Sequence, residues 1–422
     1  MKLKKPVICV IVVFLISVVT ITLPQQITSK PTHVAAQEPS TDPVVYLPFI
    51  SVPAPPANFM ETFDGAPAHP TPWRSAIWDI TVHSRNVDTW YNLEAMDAQH
   101  GPNCESPATT HDVTAYEDTV YQCNNHIMTA INASGYGLVY LTPNQMVDFS
   151  EGEAVIRWDM STERRSLRDW VDVWITPYDD NLQLALMNWL PDLNGEPHNA
   201  VHIDMGDFNG PTFGASVYRN FQEDSLESTW WVPYNDFLEP SPQRRDTFEL
   251  RISRTHIKFG MPDYNFWWVD TDISPLNWTQ GVIQFGHHSY NPWKDGNGGP
   301  QTWHWDNVFV EPAVPFTILK ADRRYVNSSG SNRVNFSAPA PANSHLRFAG
   351  IGDNLQVSFD NGSTWQNAAY QKHRDYSFAD ESFKSYWMPI PQGTSSVLFR
   401  GQDWWGGGWH FRDISIWSPQ TP

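Results

Sequence analysis

Residues Asn188 to Phe208, NWLPDLNGEPHNAVHIDMGDF, carry the most informative pattern in the sequence. They contain a Trp-Leu-Pro run, a loop rich in Gly, Pro and Asn, and then a strand-like segment. Successive side chains of a strand point to opposite faces, so His202 and Asp204 are expected to share one face. A bulge at Met205-Gly206 would bring Asp207 back to that face, because glycine tolerates the backbone angles of a bulge. The pattern therefore predicts three titratable groups on one side of a sheet.

This strand resembles the active strand of laminarinase- and agarase-type glucanases of the concanavalin A-like lectin/glucanase superfamily, whose motif is Glu-x-Asp-x-x-Glu. His202, Asp204 and Asp207 fill the three positions, so both glutamates are absent. The resemblance implies a jelly roll with a cleft. The residues present lead to a separate hypothesis for an enzyme: Asp207 is the general acid, Asp204 orients or stabilises, and His202 activates water, which gives glycoside hydrolysis with inversion. The alternative is that both aspartates are exposed strand and turn residues.

Short β-type runs alternate with turn clusters from Phe59 onward, a pattern typical of an all-β sandwich or jelly roll. The likeness to the superfamily spans residues 58–311, with an opening strand near Phe59 and a closing strand near Val310. Such jelly rolls often bind a structural calcium ion, which implies Asp64 and Asp306 as ligands because hard oxygen atoms suit that ion. Otherwise no cofactor is expected. The alternative is that each of these carboxylates only faces solvent.

The segment Pro312 to Pro315 interrupts the pattern, and residues 316–418 are interpreted as a second, smaller β-sandwich with carbohydrate binding as a candidate role. Its end resembles the last strands of galactose-binding-like or MAM-like sandwiches. The run Ser358 to Trp365, SFDNGSTW, matches the Asp-box of sialidase-like propellers, in which Asp360 and Gly362 set a tight turn. A propeller repeats this box in each blade. Here it occurs once, which predicts a single hairpin.

Residues 1–36 have the pattern of a secretory signal peptide, with three lysines before the apolar run Val7 to Leu23. An uncleaved membrane anchor is the alternative. Residues 37–57 hold six prolines and are typical of a stiff linker. We therefore expect a secreted, extracellular protein, with the cell surface as a second location.

The formal net charge is −19, and it becomes −23 when the four lysines of residues 1–36 are removed. This charge excludes nucleic acid and anionic membranes as expected partners. Only Cys104 and Cys123 lie beyond the leader, and an oxidising compartment predicts a disulfide between them, with free thiols as the alternative. Gly-x-Ser-x-Gly, HExxH and CxxC motifs are absent, which argues against serine hydrolases and common metalloproteases.

The chain contains 21 tryptophans, a residue whose flat apolar face stacks on sugar rings. The alternative role for each aromatic residue is core packing. His287 and His288, near the closing strand, are candidates for hydrogen bonds to sugar hydroxyls. Their convergence with His198 and His202 would suggest a zinc or copper site. Asp172 is expected on the solvent face of its strand. The predicted substrate-binding residues are Trp189, His287, His288, Tyr290, Trp303 and Trp305.

Together these features predict a secreted two-domain β protein that binds a polysaccharide or another glycan. If the protein is an enzyme, they predict that it hydrolyses that glycan. One rival is a non-catalytic, lectin-like protein that kept the scaffold without the glutamates. Another is a cell-surface adhesion protein in which the β domains act as spacers.

Overall fold

The computed structural model describes residues 57–64, 71–73, 75–84, 120–123, 125–131, 136–162, 169–180, 198–206, 212–226, 245–290, 301–321, 324–327, 330–351, 353–368, 384–402 and 409–419. They belong to one compact unit, Pro55–Pro422. The predicted leader, Cys104 and the side chain of Cys123 lie outside the described residues, so the disulfide stays a prediction. Within the described ranges, no helix is long and apolar enough to cross a membrane.

Seventeen strands form one continuous antiparallel sheet. A short 3-10 helix, Pro262–Tyr264, lies between the fourteenth and fifteenth strands. The strands are β1 (Ala57–Glu61), β2 (Thr71–Pro72), β3 (Trp78–Ser84), β4 (Val120–Cys123), β5 (His126–Ile131), β6 (Tyr136–Pro143), β7 (Gln145–Asp148), β8 (Ala154–Thr162), β9 (Asp169–Thr176), β10 (Asn199–Gly206), β11 (Thr212–Arg219), β12 (Gln222–Ser225), β13 (Asp246–Ile252), β14 (His256–Met261), β15 (Phe266–Asp272), β16 (Gln280–Tyr290) and β17 (Gln301–Pro315).

The pairings divide this sheet into two layers. The first layer follows the order β2-β4-β5-β17-β8-β13-β14-β15, and β1 also pairs with β17. The second layer follows the order β3-β6-β16-β9-β10-β11-β12. Strand β7 pairs with β16 of the second layer and with β17 of the first, so it joins the two layers by backbone hydrogen bonds.

Aromatic side chains from both layers fill the space between them. Trp158 of the first layer meets Phe285 of the second edge to face, with ring centroids 5.7 Å apart. Phe213 stacks on Trp268 at 4.4 Å. Burial of each such side chain stabilises the fold by about 1.5–3 kcal/mol, so the facing aromatic residues hold the sandwich closed.

Two smaller sheets follow in the chain and pack on each other. The five-stranded sheet contains β18 (Thr317–Lys320), β19 (Arg324–Asn327), β21 (His345–Ile351), β24 (Lys384–Pro389) and β26 (Trp409–Ser418). The four-stranded sheet contains β20 (Asn332–Asn335), β22 (Asp353–Ser358), β23 (Gln366–Asn367) and β25 (Ser396–Gln402).

The inner faces of these two sheets share one apolar core that includes Phe348, Phe399 and Phe411. The prediction of an all-β jelly-roll sandwich followed by a second, smaller sandwich is confirmed. The domain limits 58–311 and 316–418 stay predictions.

The two sandwiches meet at a buried junction. Val282 of β16 packs in one apolar cluster with Trp387 and Trp417 of the smaller sandwich. A buried ion pair lies at the same junction, because Nη1 of Arg347 is 3.5 Å from Oδ2 of Asp79. The guanidinium carbon of Arg347 also lies 4.6 Å from the centre of the Trp417 ring, a cation–π contact.

Replacement of Arg347 by Leu is expected to destabilise the protein by about 3–5 kcal/mol, because it leaves the Asp79 carboxylate buried without its cation. The double variant Asp79→Leu/Arg347→Leu is expected to recover most of that loss. Urea denaturation of the full chain measures both effects. Equal stability of the wild type and Arg347→Leu would contradict a role for this ion pair at the junction.

Candidate functional site

The candidate site lies on the outer face of the second layer, which we define as the face turned away from the shared core. Along β10, Val201, Ile203 and Met205 are buried in the core. His202 and Asp204 therefore point to the outer face, as the sequence predicts. The ladder between β10 and β11 is regular as far as Gly206, so the predicted bulge is absent there.

Neighbouring strands complete the site. Asp172 of β9 is the cross-strand partner of Asp204, and it also lies opposite Gly286 of β16. A β-carbon at position 286 would lie 1.9 Å from Oδ1 of Asp172. Glycine is therefore required at this position, because its missing side chain leaves the space that the carboxylate occupies.

Three donors converge on one oxygen of Asp172. Oδ2 accepts hydrogen bonds from Nε1 of Trp174 at 2.8 Å, Nε2 of His288 at 2.9 Å and Nε2 of His202 at 3.3 Å. An ionised carboxylate only accepts, so Nε2 of each histidine carries the proton. In the neutral imidazole of His202, Nδ1 is then the basic nitrogen.

His202 is the reachable member of this cluster. Its ring stacks on the indole of Trp174 with centroids 3.7 Å apart. The side chain of His202 is 17% exposed, whereas that of Asp172 is 3% exposed. The Asp172 carboxylate is thus buried beneath the cluster. The His202 imidazole and the partly exposed Asp204 border the solvent.

Asp172 is held in its ionised form. Burial alone would raise its pKa, but positive charge on His288 and the hydrogen bonds from His202 and His288 outweigh burial and lower the pKa. Its other oxygen, Oδ1, is buried and has no hydrogen-bond partner among the residues that the structure describes. Such an acceptor is costly unless a further donor reaches it, which makes Asp172 a strong anchor for hydrogen-bond donors.

Asp204 has the opposite tendency. Burial raises its pKa to about 6, and the negative charges of Asp172 and Glu223 also raise it, against the lowering effect of His202 and His288. Two adjacent carboxyl groups therefore differ in their readiness to hold a proton, the arrangement found where one carboxyl acts as an acid and the other stays charged.

The structure corrects three of the predicted substrate-binding residues. His287 points into the core, where its Nδ1 lies 3.0 Å from Oγ1 of Thr129. Trp303 and Trp305 are each 1% exposed and belong to the same core, so neither indole offers a face to a sugar. His288 does lie in the cluster, but it is 3% exposed and its Nε2 binds Asp172 rather than solvent.

Other predictions fall on residues that the structure does not describe. Asp207 and Trp189 lie outside the described residues, as does the side chain of Tyr290. Their roles stay predictions.

The predicted metal ligands do not form a complete site among the described residues. Asp64 is exposed and accepts a hydrogen bond from Oγ1 of Thr62. Oδ2 of Asp306 lies 3.7 Å from Nη1 of Arg245, so a cation already neighbours this carboxylate. No group of three or more His, Cys, Asp or Glu side chains in the described ranges is arranged to hold a metal ion. The calcium ion stays a prediction, and His287 does not join the other candidate zinc ligands.

Sequence reasoning missed one residue of the candidate site, Asp172, which it expected on the solvent face. Asp172 is 2% exposed. The available signal was the alternation in Trp170 to Thr176, WVDVWIT, where valines and isoleucine occupy the core positions and Asp172 and Trp174 share the outer face. A carboxylate two residues from a tryptophan indicates a possible indole N–H acceptor, and the structure has that bond.

No protein-family model matches this chain. No curated protein matches it either. Among solved structures, the chain is similar to SCLam, a non-specific endo-β-1,3(4)-glucanase from family GH16, at 11% identity and a TM-score of 0.34, over 60% of this chain and 89% of that one. It is also similar to a protein of unknown function with a galectin-like fold from Bacillus subtilis, at 13% identity and a TM-score of 0.31, over 46% of this chain and 84% of that one.

A third similar structure is the exoplasmic/lumenal domain of VIP36 bound to Ca2+ and Man3GlcNAc, at 11% identity and a TM-score of 0.30, over 46% of this chain and 79% of that one.

Replacement of Asp204 by Asn is expected to raise the melting temperature at pH 8 and to leave it unchanged at pH 4. The folded state holds a proton on Asp204 up to about pH 6, whereas the unfolded state releases it near 3.8, so wild-type stability falls as the pH rises through this interval. Asparagine removes that loss. Thermal unfolding at the two pH values measures the effect, and the exposed Asp224→Asn controls for removal of one negative charge. A gain of equal size at both pH values would contradict the burial of the Asp204 charge.

Proposed function

We propose that this protein binds a glycan on the outer face of the second layer and hydrolyses a glycosidic bond there. In this proposal Asp204 takes the general-acid role that the sequence analysis gave to Asp207, because its raised pKa suits a proton donor, and His202 is the general base. The observation that carries it is the hydrogen bond from His202 to Asp172, with Asp204 in register beside Asp172. An acid and an oriented base at adjacent positions of one face are the groups that acid–base hydrolysis requires.

In the proposed reaction, Asp204 gives its proton to the oxygen that leaves the anomeric carbon. Nδ1 of His202 takes a proton from a water molecule, whose oxygen bonds to the anomeric carbon as the bond to the leaving oxygen breaks. Asp204 ends as a carboxylate and His202 as an imidazolium, and exchange of one proton with solvent restores each of them. Attack from the side opposite the leaving group inverts the anomeric carbon.

Asp172 acts as a positioning residue in this proposal. Its carboxylate fixes the proton of His202 on Nε2 and stabilises the imidazolium that forms when Nδ1 takes a proton. Trp174 and His288 hold Asp172 in turn, through hydrogen bonds to the same oxygen. The base thus keeps its orientation before the substrate arrives, which lowers the cost of reaching the transition state.

Neutral or cationic glycans are the expected substrates at this face. Asp172, Asp204 and Glu223 contribute carboxyl groups there, and the whole chain has a net charge of −19. An anionic sugar at the same place would meet like charges. The signal-peptide pattern at the start of the chain supports action outside the cell.

The second candidate function is glycan binding without turnover. It is favoured by the burial of the cluster, since Asp172, His288 and Trp174 are each at most 3% exposed. A network of this kind also serves to stabilise a sheet. Under this alternative His202 and Asp204 give only hydrogen bonds to sugar hydroxyls.

Replacement of Asp204 by Asn is expected to lower sugar release at least about 100-fold, because the amide of Asn has no acidic proton to transfer to the leaving oxygen. Binding of the same glycan is expected to persist, since the amide keeps the size and hydrogen-bonding capacity of the acid. Reducing-sugar release from a panel of neutral polysaccharides measures the first quantity, and isothermal titration with a short oligosaccharide measures the second. Asp224→Asn serves as the active control.

Two results separate the candidates. Unchanged sugar release by Asp204→Asn would end the acid role of Asp204. Glycan binding without sugar release by the wild type would favour the binding protein.

Hydrolysis is expected to slow as the pH rises above about 6, because the acid form of Asp204 disappears as the pH passes its raised pKa. The rate constant kcat/KM on a soluble oligosaccharide, measured from pH 5 to pH 9, reports this limb. Two results would assign the proton donor to another group. One is a fall of kcat/KM at the same pH when Asp204 is replaced by Glu, and the other is a kcat/KM that still rises at pH 8.

A further inference from the structure

The outer face of the four-stranded sheet carries a second polar surface, far along the chain from the site around His202. Val334, Val357 and Phe399 point into the core of the smaller sandwich. By alternation, the side chains between them point outward. We call the outward set the arginine face, and it contains Arg333, Gln356, Leu398, Arg400 and, from the adjoining turn, Trp365.

Arg400 is held in one orientation. Its guanidinium carbon lies 4.0 Å from the centre of the Trp365 ring, so the planar group stacks on the indole. Its Nε donates a 2.7 Å hydrogen bond to Oε1 of Gln356. Gln356 is itself fixed, because its Nε2 donates to Oδ1 of Asn367 at 2.9 Å.

The two terminal nitrogens of Arg400 have no protein partner among the described residues, and the residue is partly exposed. Because its plane and its Nε are fixed, the guanidinium presents the N–H groups of its two terminal nitrogens in a fixed direction, as a two-pronged fork. Such a fork matches the two oxygens of a carboxylate. Because the side chain is already ordered, a ligand does not have to supply the entropy of ordering it.

Arg333 adds a second positive charge to the arginine face. It pairs with Leu398, two residues from Arg400 on the next strand, so the α-carbons of the two arginines are diagonal neighbours about 7–8 Å apart. The Nη1 group of Arg333 donates to Oγ of Ser396 at 3.1 Å, and its Nη2 donates to Oδ1 of Asn361. This arginine is exposed and also fixed in place.

The turn that carries Trp365 explains why the arginine face is ordered. Oδ1 of Asp360 accepts hydrogen bonds from Oγ of Ser358 and from the backbone N of Thr364, and Oδ2 accepts one from Oγ1 of Thr364. Gly362 has a φ of +88°, which a side chain would strain. The single hairpin predicted for this Asp-box is confirmed, since β22 pairs with β23. The Asp360 carboxylate is occupied within the turn.

We propose that the arginine face binds a carboxylate-bearing sugar, such as a residue of a polyuronate chain. Arg400 receives the carboxylate with its fork, and Arg333 contributes the second positive charge. Gln356 and Asn367 lie beside the fork and supply amide groups for neighbouring hydroxyls. Charge complementarity supports this ligand class, because two fixed cations stand together on a chain whose net charge is −19. The arginine face therefore accepts the acidic sugars that the carboxyl groups on the outer face of the second layer repel.

The test is binding of oligogalacturonate of defined length to the full-length chain, measured by isothermal titration calorimetry. A neutral oligosaccharide of equal length is the comparison ligand. Arg400→Gln is expected to weaken binding of the acidic ligand about tenfold or more, since hydrogen bonds to a charged group are lost. Arg400→Lys keeps the charge without the fork and is expected to lose a similar amount. Arg254→Gln, which removes an exposed arginine of the larger sandwich, is expected to bind normally.

Each outcome decides the proposal. Equal binding of the acidic and neutral ligands would overturn it, as would unchanged binding by Arg400→Gln. Full binding by Arg400→Lys would show that charge alone attracts the ligand and would overturn the role of the fork. Melting temperatures of the variants confirm folding. The proposal is also independent of the site around His202, because Asp204→Asn is expected to bind oligogalacturonate like the wild type.

Discussion

Backbone hydrogen bonding through β17 is the constraint on which the larger sandwich depends. This strand has 15 residues and pairs with β5, β8, β1 and β7 along its length. A buried strand with unpaired N–H and C=O groups is costly, so its neighbours must follow its path. Because β7 pairs with both β17 and β16, the second layer is fixed relative to the first.

That fixed relation determines what the outer face of the second layer displays. Alternation sends one set of side chains of β9, β10 and β16 into the aromatic core and leaves Asp172, His202, Asp204 and His288 on the other side. One oxygen of Asp172 orders the resulting polar cluster, whereas the sequence motif pointed only to residues of the β10 segment. Its chemistry arises from three neighbouring strands, of which the motif strand is one.

Sequence reasoning reached the fold and part of the site. Period-two alternation and frequent turn residues predicted the strands, and the Asp-box predicted the hairpin of β22 and β23, because those signals are local. The pairing of Asp172 with Asp204 was not accessible, since β9 and β10 meet through a register that only tertiary packing fixes. Trp303 and Trp305 were wrong as sugar-stacking residues for a related reason. A tryptophan pattern does not distinguish a core face from a binding face.

At the junction, each sandwich covers an apolar surface of the other. Trp417, close to the end of the described residues, is 0% exposed because it packs with Phe316 and with Val282 of the larger sandwich. The larger sandwich therefore carries an apolar surface shaped for its neighbour. A polypeptide that contained only the larger sandwich would expose this apolar surface to water, so the smaller sandwich serves as its cover.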